Sequence, residues 1–220
     1  MIDAREFVVP KPWAGNKVAV PADTVTSLQM IPPELTLNQS EIHLRNEVIE
    51  PLKAMAAAAK KDKITLVVDS AYRSGRYQRQ IFRQFLEKGQ RFEHISRHIA
   101  PPGYSEHSLG TVVDFAPSSH GFAKTRAYTW LKKHAATYGF YETMPRDRRG
   151  SAPWEPWHWK FRLSPAQPKP APTPVPLPEA EPPAEPAGAA VTEVADAAPP
   201  QRTSISISPN LSFDPLPLPR

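Results

Sequence analysis

The 220-residue chain contains no cysteine. That excludes a disulfide framework, a thiolate metal site and a cysteine nucleophile. Long hydrophobic runs are lacking too. No stretch approaches the roughly 18 apolar residues of a membrane span, so no transmembrane helix is expected. The opening residues, Met1-Ile2-Asp3-Ala4-Arg5-Glu6, carry no charged-then-apolar leader. Glycine is scarce at 9 residues, whereas proline is abundant at 28. Sixteen of the 28 prolines fall in residues 164–220. With one glycine they make up about 30% of that segment, the level of low-complexity or disordered chain. Charge divides at the same place. Residues 164–220 hold 3 basic and 6 acidic side chains, so the overall +5 leaves residues 1–163 at +8. That basic balance favours an acidic partner, although many surfaces are basic for solubility alone; no nucleic-acid partner is expected.

Three segments follow. Residues 1–37 read as an extended, proline-punctuated lead-in that wraps the domain, with Trp13 docking on it. Residues 38–163 read as the folded domain, and a unit of 163 residues, lead-in included, buries roughly 70% of its unfolded surface, enough for a core. Residues 164–220 read as a disordered tail. Proline at every second position from Pro168 to Pro178 favours polyproline II, a stiff spacer or a ligand for the aromatic groove of an unidentified protein. Thr203 to Ser208 alternates like a short strand that could add to a partner's sheet edge.

Inside the domain, Asn38 with Glu41 three residues later predicts a capped helix start. Ile42, Val48, Ile49, Leu52, Met55 and Ala59 supply its apolar stripe, and Pro51 either kinks it or opens a second helix. Ile64 to Val68 reads as a buried strand. A second helix runs from an N-cap at Ser74 to Gly89, its apolar face carried by Tyr77, Ile81, Phe85 and Leu86. Residues 90–106 look irregular. Thr111 to Phe115 is a strand, Ala127 to Tyr138 a helix ended by Gly139, Phe140-Tyr141 the start of a strand, and Trp157 to Leu163 another. Strands and helices mix without a βαβ rhythm, which predicts an α+β fold with an antiparallel sheet.

Two stretches can carry chemistry. In Ser105-Glu106-His107-Ser108-Leu109-Gly110-Thr111-Val112-Val113-Asp114, six residues separate a histidine from an aspartate, and Gly110 permits a turn that folds one back toward the other. Imidazole and carboxylate are both zinc donors. In Glu155-Pro156-Trp157-His158-Trp159, His158 offers a third donor. Three protein ligands leave one position for water, the catalytic pattern, and a nearby carboxylate such as Glu155 can take that water's proton. Taken singly, such residues are more often hydrogen-bonded or surface residues than metal ligands.

The ordered set Ser-x-His-x6-Asp followed by Glu-Pro-Trp-His resembles the VanY-type D-alanyl-D-alanine carboxypeptidase family, zinc peptidases of bacterial cell-wall peptides. Ser70-Ala71-Tyr72-Arg73-Ser74 with Tyr77-Gln78 resembles that family's Ser-Gly-Tyr-Arg-Ser block. Pro101 to His107 and Tyr138-Gly139-Phe140 match as well. The resemblance spans about residues 40–163. It implies a small antiparallel sheet with flanking helices and zinc in a groove on the sheet face, held by His107, Asp114 and His158. It implies Glu155 as general base and then acid, Arg73 as the cation facing the scissile carbonyl, and Gln78 and Ser105 as holders of the substrate's terminal carboxylate. Two departures stand out: Ala71 in place of glycine, and Thr111-Val112 in place of Leu-Ala. His43, His94, His98, His120 and His134 match no block and read as packing or surface residues. Trp154, Trp157 and Trp159 read as core and pocket wall, and Arg146, Arg148 and Arg149 as a solvated loop.

The implied activity is zinc-dependent removal of the C-terminal D-Ala from peptidoglycan stem peptides. An L,D-carboxypeptidase, a D-Ala-D-Ala dipeptidase and an L-alanyl-D-glutamate endolysin would share the zinc site. A binding module that keeps the metal without hydrolysis is the alternative of another class. The implied substrate places the protein in the periplasm or outside the cell.

Overall fold

The computed structural model describes residues 2, 5–146 and 153–163. The proline-rich segment 164–220, with the spacer and partner-binding roles expected of it, lies outside the described residues, as do Arg148 and Arg149. Among the described residues, no helix is long and apolar enough to cross a membrane.

Among the described residues, two antiparallel sheets and four α-helices make up the architecture. Strand β1 (Leu28–Met30) pairs with β2 (His43–Arg45), Gln29 opposite Leu44. Helix α1 (Asn46–Lys61) follows β2 directly. The main sheet has the order β3-β4-β6-β5, formed by β3 (Val68–Ser70), β4 (Val112–Phe115), β5 (Phe140–Glu142) and β6 (His158–Phe161), every pair antiparallel. Helices α2 (Gly75–Glu87) and α3 (Phe92–Ile95) lie between β3 and β4 in the chain, and α4 (Arg126–His134) between β4 and β5. This is the α+β arrangement expected.

The first helix departs from its prediction. It starts at Asn46, not near Asn38, which instead sits in a single 3-10 turn with φ of 54°. The residues between are drawn into β2, where Leu44 is fully buried and the backbone pairs with β1. Pairing with the lead-in thus outweighs the local capping signal at Asn38–Glu41. The apolar stripe holds from Val48 onward: Val48, Ile49, Leu52, Met55 and Ala59 are all buried. Pro51 lies inside this one helix, which tolerates it.

Elsewhere the differences are smaller. Ile64, Leu66 and Val68 alternate inward, but ladder pairing begins only at Val68, opposite Phe115. Ser74 caps α2 as predicted, its side chain accepting from the Tyr77 N–H at 3.1 Å. Phe82, fully buried, joins the apolar face of that helix. The stretch expected to be irregular contains α3, because Phe92 and Ile95 pack with Ile81 and Phe82 in a second core cluster. Phe7 of the lead-in stacks on Phe92 with ring centroids 4.5 Å apart. The main core lies between α1, α4 and the four-stranded sheet, centred on Leu52, Met55, Val113, Phe115, Leu131 and Phe140.

Candidate metal centre

Sheet register builds half of the site. Asp114 on β4 is the direct partner of His158 on β6. Directly opposed residues of an antiparallel pair project from the same face. The third member, His107, comes from a 3-10 turn at Glu106–Leu109 that ends on Gly110 in the left-handed region, φ of 69°. A Cβ at Gly110 would lie 3.0 Å from Arg45 Cγ and 3.3 Å from Leu28 Cδ2, so backbone conformation and close packing both demand glycine. The turn delivers His107 to the strand face as its spacing from Asp114 predicts. Donor atoms of His107, Asp114 and His158 lie within 4.8 Å of one another, and all three residues are buried.

The two imidazoles are held differently. His107 Nδ1 hydrogen-bonds the Ala71 carbonyl. That leaves Nε2 as the free donor atom of the neutral ring. It sits 3.1 Å from Asp114 Oδ2 yet makes no hydrogen bond there. A buried imidazole nitrogen beside a carboxylate oxygen, with no proton shared between them, fits a cation between the two. Burial and the nearby Arg73 guanidinium push the His107 pKa down to about 4, so this ring is neutral at pH 7. His158 presents Nδ1 to Asp114 Oδ1 at 3.0 Å and Nε2 to Glu106 Oε2 at 3.1 Å. Burial works against charge here as well, but the bonds to Asp114 and Glu106 outweigh it and raise the pKa to about 10. Asp114 resists the upward push of burial because both imidazoles hold it well below the usual carboxylate range.

Glu106 was not singled out in the sequence. Its Oε1 accepts from Lys160 Nζ at 2.8 Å, and its Oε2 accepts from Thr143 Oγ1 at 2.6 Å as well as facing His158. Burial pushes its carboxyl up, yet His158 and Lys160 together keep it firmly ionised. A carboxylate behind a ligating histidine fixes the ring's tautomer and orientation. The available signal was its place between Ser105 and His107, where a turn can aim consecutive side chains at the same strands.

The remaining predicted residues converge on a cavity of about 90 Å³ beside the three ligand candidates. Glu155 Oε2 lies 3.6 Å from His158 Nδ1. The turn that positions it is closed by the His158 N–H donating to the Glu155 carbonyl at 3.0 Å. Burial pushes the Glu155 pKa up to about 7 against the opposing pull of His158. Arg73 extends from the loop after β3, with Nη2 3.9 Å from Asp114 Oδ2 and a buried Nε that has no hydrogen-bond partner among the described residues. Gln78 is buried on α2. Its Nε2 donates to the Ala100 carbonyl at 2.7 Å, while Oε1 has no partner among the described residues. Ser105 is buried and lines the same cavity. Asp69 lines the cavity too and accepts from Ser118 Oγ at 2.6 Å. Trp13 forms a further wall. Of the two departures, Ala71 is buried without a positive φ, and the buried Thr111 hydroxyl has no partner among the described residues.

Comparison with known proteins fits this geometry. YodJ of Bacillus subtilis (strain 168), named as a carboxypeptidase, is 33% identical over 128 residues, covering 54% of this chain and 46% of its own. The chain spans just under half the length of the curated relatives it matches first. The solved structure of the LdcB LD-carboxypeptidase superposes with a TM-score of 0.57 at 27% identity, covering 65% of this chain and 69% of that one. A vancomycin-resistance D,D-pentapeptidase VanY variant, in complex with Zn(II), superposes with a TM-score of 0.51 at 25% identity, covering 64% and 82%. The family model for VanY, D-alanyl-D-alanine carboxypeptidase, matches residues 41–164, which reach from just before β2 to just past β6 and hold every ligand candidate. With more than half of its length so matched, the chain belongs to the VanY family of D-alanyl-D-alanine carboxypeptidases.

Proposed function

We propose that the protein is a zinc carboxypeptidase that removes the terminal D-Ala from peptidoglycan stem peptides, acting in the periplasm or outside the cell where that substrate lies. The observation that carries this reading is the buried His107–Asp114–His158 donor set with Glu155 and Arg73 around one small cavity. Two imidazoles and one carboxylate are a catalytic zinc donor set that leaves a position open. Zinc held there would lower the pKa of a water toward about 7 and polarise the scissile carbonyl.

The chain's own residues supply the rest. Glu155, beside His158 and with its pKa near 7, is suited to take a proton from the attacking water and return it to the leaving amine. Arg73 brings a buried cation whose Nε has no hydrogen-bond partner among the described residues, so it is suited to meet the oxygen where negative charge develops. The unpartnered Oε1 of Gln78 and the buried Ser105 stand on the same cavity, placed to hold the end of the substrate.

A second reading, removal of D-Ala from an L,D-linked tetrapeptide, is favoured by the likeness to LdcB, described as an LD-carboxypeptidase. Incubation with defined pentapeptide and tetrapeptide stems, followed by mass analysis, separates the two. Loss of one alanine from the pentapeptide alone supports the first reading, and loss from the tetrapeptide alone supports the second. Release of a dipeptide or of the whole peptide overturns both. Replacing Glu155 by Ala is expected to abolish release while zinc is retained; a variant that still releases alanine would remove Glu155 from its role.

A further inference from the structure

One wall of the metal cavity comes from outside the family-matched region. Trp13 is 3% exposed, and its indole N–H donates to the Ser96 carbonyl at 2.6 Å. The backbone around it is tightly turned: Trp13 N–H donates to the Pro10 carbonyl at 3.0 Å, and Asn16 N–H to the Trp13 carbonyl at 2.9 Å. Val18 N–H then donates to the Gly103 carbonyl at 2.9 Å, pinning the segment to the turn that precedes Ser105. A second cavity of about 440 Å³ is lined by this segment. It shares Trp13, Glu106 and Met144 with the metal cavity and adds Lys17, Tyr104 and Lys160. The Glu106 carboxylate is already engaged by Lys160, Thr143 and His158. Lys17 therefore sets the cavity's remaining charge, and it has no ion-pair partner among the described residues.

We infer that this second cavity is an extended subsite, built in part by residues 12–19, for the portion of a peptide substrate upstream of the cleaved bond, and that Lys17 receives a carboxylate there. The inference rests on the carboxypeptidase reading above. A carboxypeptidase releases a single residue, so whatever lies beyond the small metal cavity belongs to the acyl side of the substrate. The adjoining cavity is about five times larger and shares three wall residues, Trp13, Glu106 and Met144, with the first. The γ-linked glutamate of a stem peptide leaves its α-carboxylate free, and an ammonium facing a peptide segment is suited to meet it. Trp13, fixed by Ser96 between the two spaces, makes the lead-in a part of substrate recognition.

The test uses the full 220-residue chain loaded with zinc, carrying Glu155→Ala in the binding arms so that the peptides stay intact, and with Glu155 unaltered in the release arm. Calorimetry compares binding of N-acetyl-L-Lys-D-Ala-D-Ala with that of L-Ala-γ-D-Glu-L-Lys-D-Ala-D-Ala, and of the latter with its glutamate amidated. The expected result is that the free-acid pentapeptide binds about tenfold more tightly than the tripeptide, as one charge-assisted contact allows. That ratio falls toward one when Lys17→Glu is added, and amidation has the same effect with Lys17 in place. Lys17 is exposed, so the substitution spares the core. Equal affinity for the three- and five-residue peptides, or a ratio untouched by Lys17→Glu, overturns the proposal. Binding does not require turnover. A chain that shows the ratio but releases no alanine keeps the subsite and refutes the carboxypeptidase reading, so the two failures are distinct.

Discussion

His107 and His158 stand 5.0 Å apart, ring centre to ring centre, in opposite protonation states. With its pKa down at about 4, His107 offers a lone pair to an incoming cation at neutral pH. His158, raised to about 10, carries a proton on each nitrogen, one directed at Asp114 and one at Glu106. A metal must displace the first of these, because ligating imidazole is deprotonated at the donor atom. Binding at pH 7 is therefore expected to release about one proton from His158, with a further fraction from Glu155, whose pKa is near 7. Zinc titration in two buffers of different ionisation enthalpy measures this directly, and release near zero would contradict the assignment. The sign is fixed: apparent affinity rises with pH, by roughly tenfold per unit while pH stays below the His158 value. Glu106 is expected to set the other half of that balance. Glu106→Gln keeps an acceptor for the His158 Nε2–H but removes its charge, and chelator competition should show zinc affinity lowered by roughly 10- to 100-fold. The same change loosens His158's proton, so proton release should fall with it. Unchanged affinity would reduce Glu106 to a partner of Lys160 and Thr143.

At the scale of elements, the turn at Glu106–Leu109 ties the two sheets together. Gly110's carbonyl accepts from the Arg45 N–H at 2.8 Å, at the junction of β2 and α1. Arg45 in turn holds Asp23 at 2.8 Å and Glu47 at 2.9 Å from a nearly buried position. Gly110→Ala forces a Cβ into Arg45 and Leu28 at a left-handed φ. A loss of about 1–3 kcal/mol is expected, measured as a lower urea midpoint. A wild-type midpoint would mean that the turn relaxes freely. This junction also shows what was legible beforehand. The glycine, the six-residue gap and the Ser74 cap carry their information in local chemistry and were readable. The start of α1 was not, because the pairing of β1 with β2 that claims His43–Arg45 is a contact between distant stretches, invisible to a capping signal. Glu106 escaped for the same reason: its meaning lies in Lys160 and His158, more than 50 residues away along the chain. Phe82 was missed because a face assigned by period alone can be rotated by one position once a second cluster forms over it.

Across the whole molecule, the candidate centre joins β4, β6 and the 3-10 turn, but the folded state does not hang on it alone. Two apolar clusters bury Leu52, Met55, Phe115 and Phe140 on one side, and Phe82, Phe92 and Ile95 on the other. The charges of the centre are also satisfied without a cation, since the His158 proton bridges to Asp114 and the second His158 N–H to Glu106. A chain of this kind differs from one in which metal binding is itself the folding free energy. Chelation is therefore expected to leave a cooperative thermal transition in place and to lower its midpoint. With free zinc at about a thousand times its dissociation constant, linkage contributes roughly 4 kcal/mol. For a domain of this size that is a shift of about 8–16 °C. Scanning calorimetry with zinc and with chelator reads both quantities. A transition that vanishes on chelation would show that the metal holds the sheet and the turn together, and one that does not move would show that the three residues bind none.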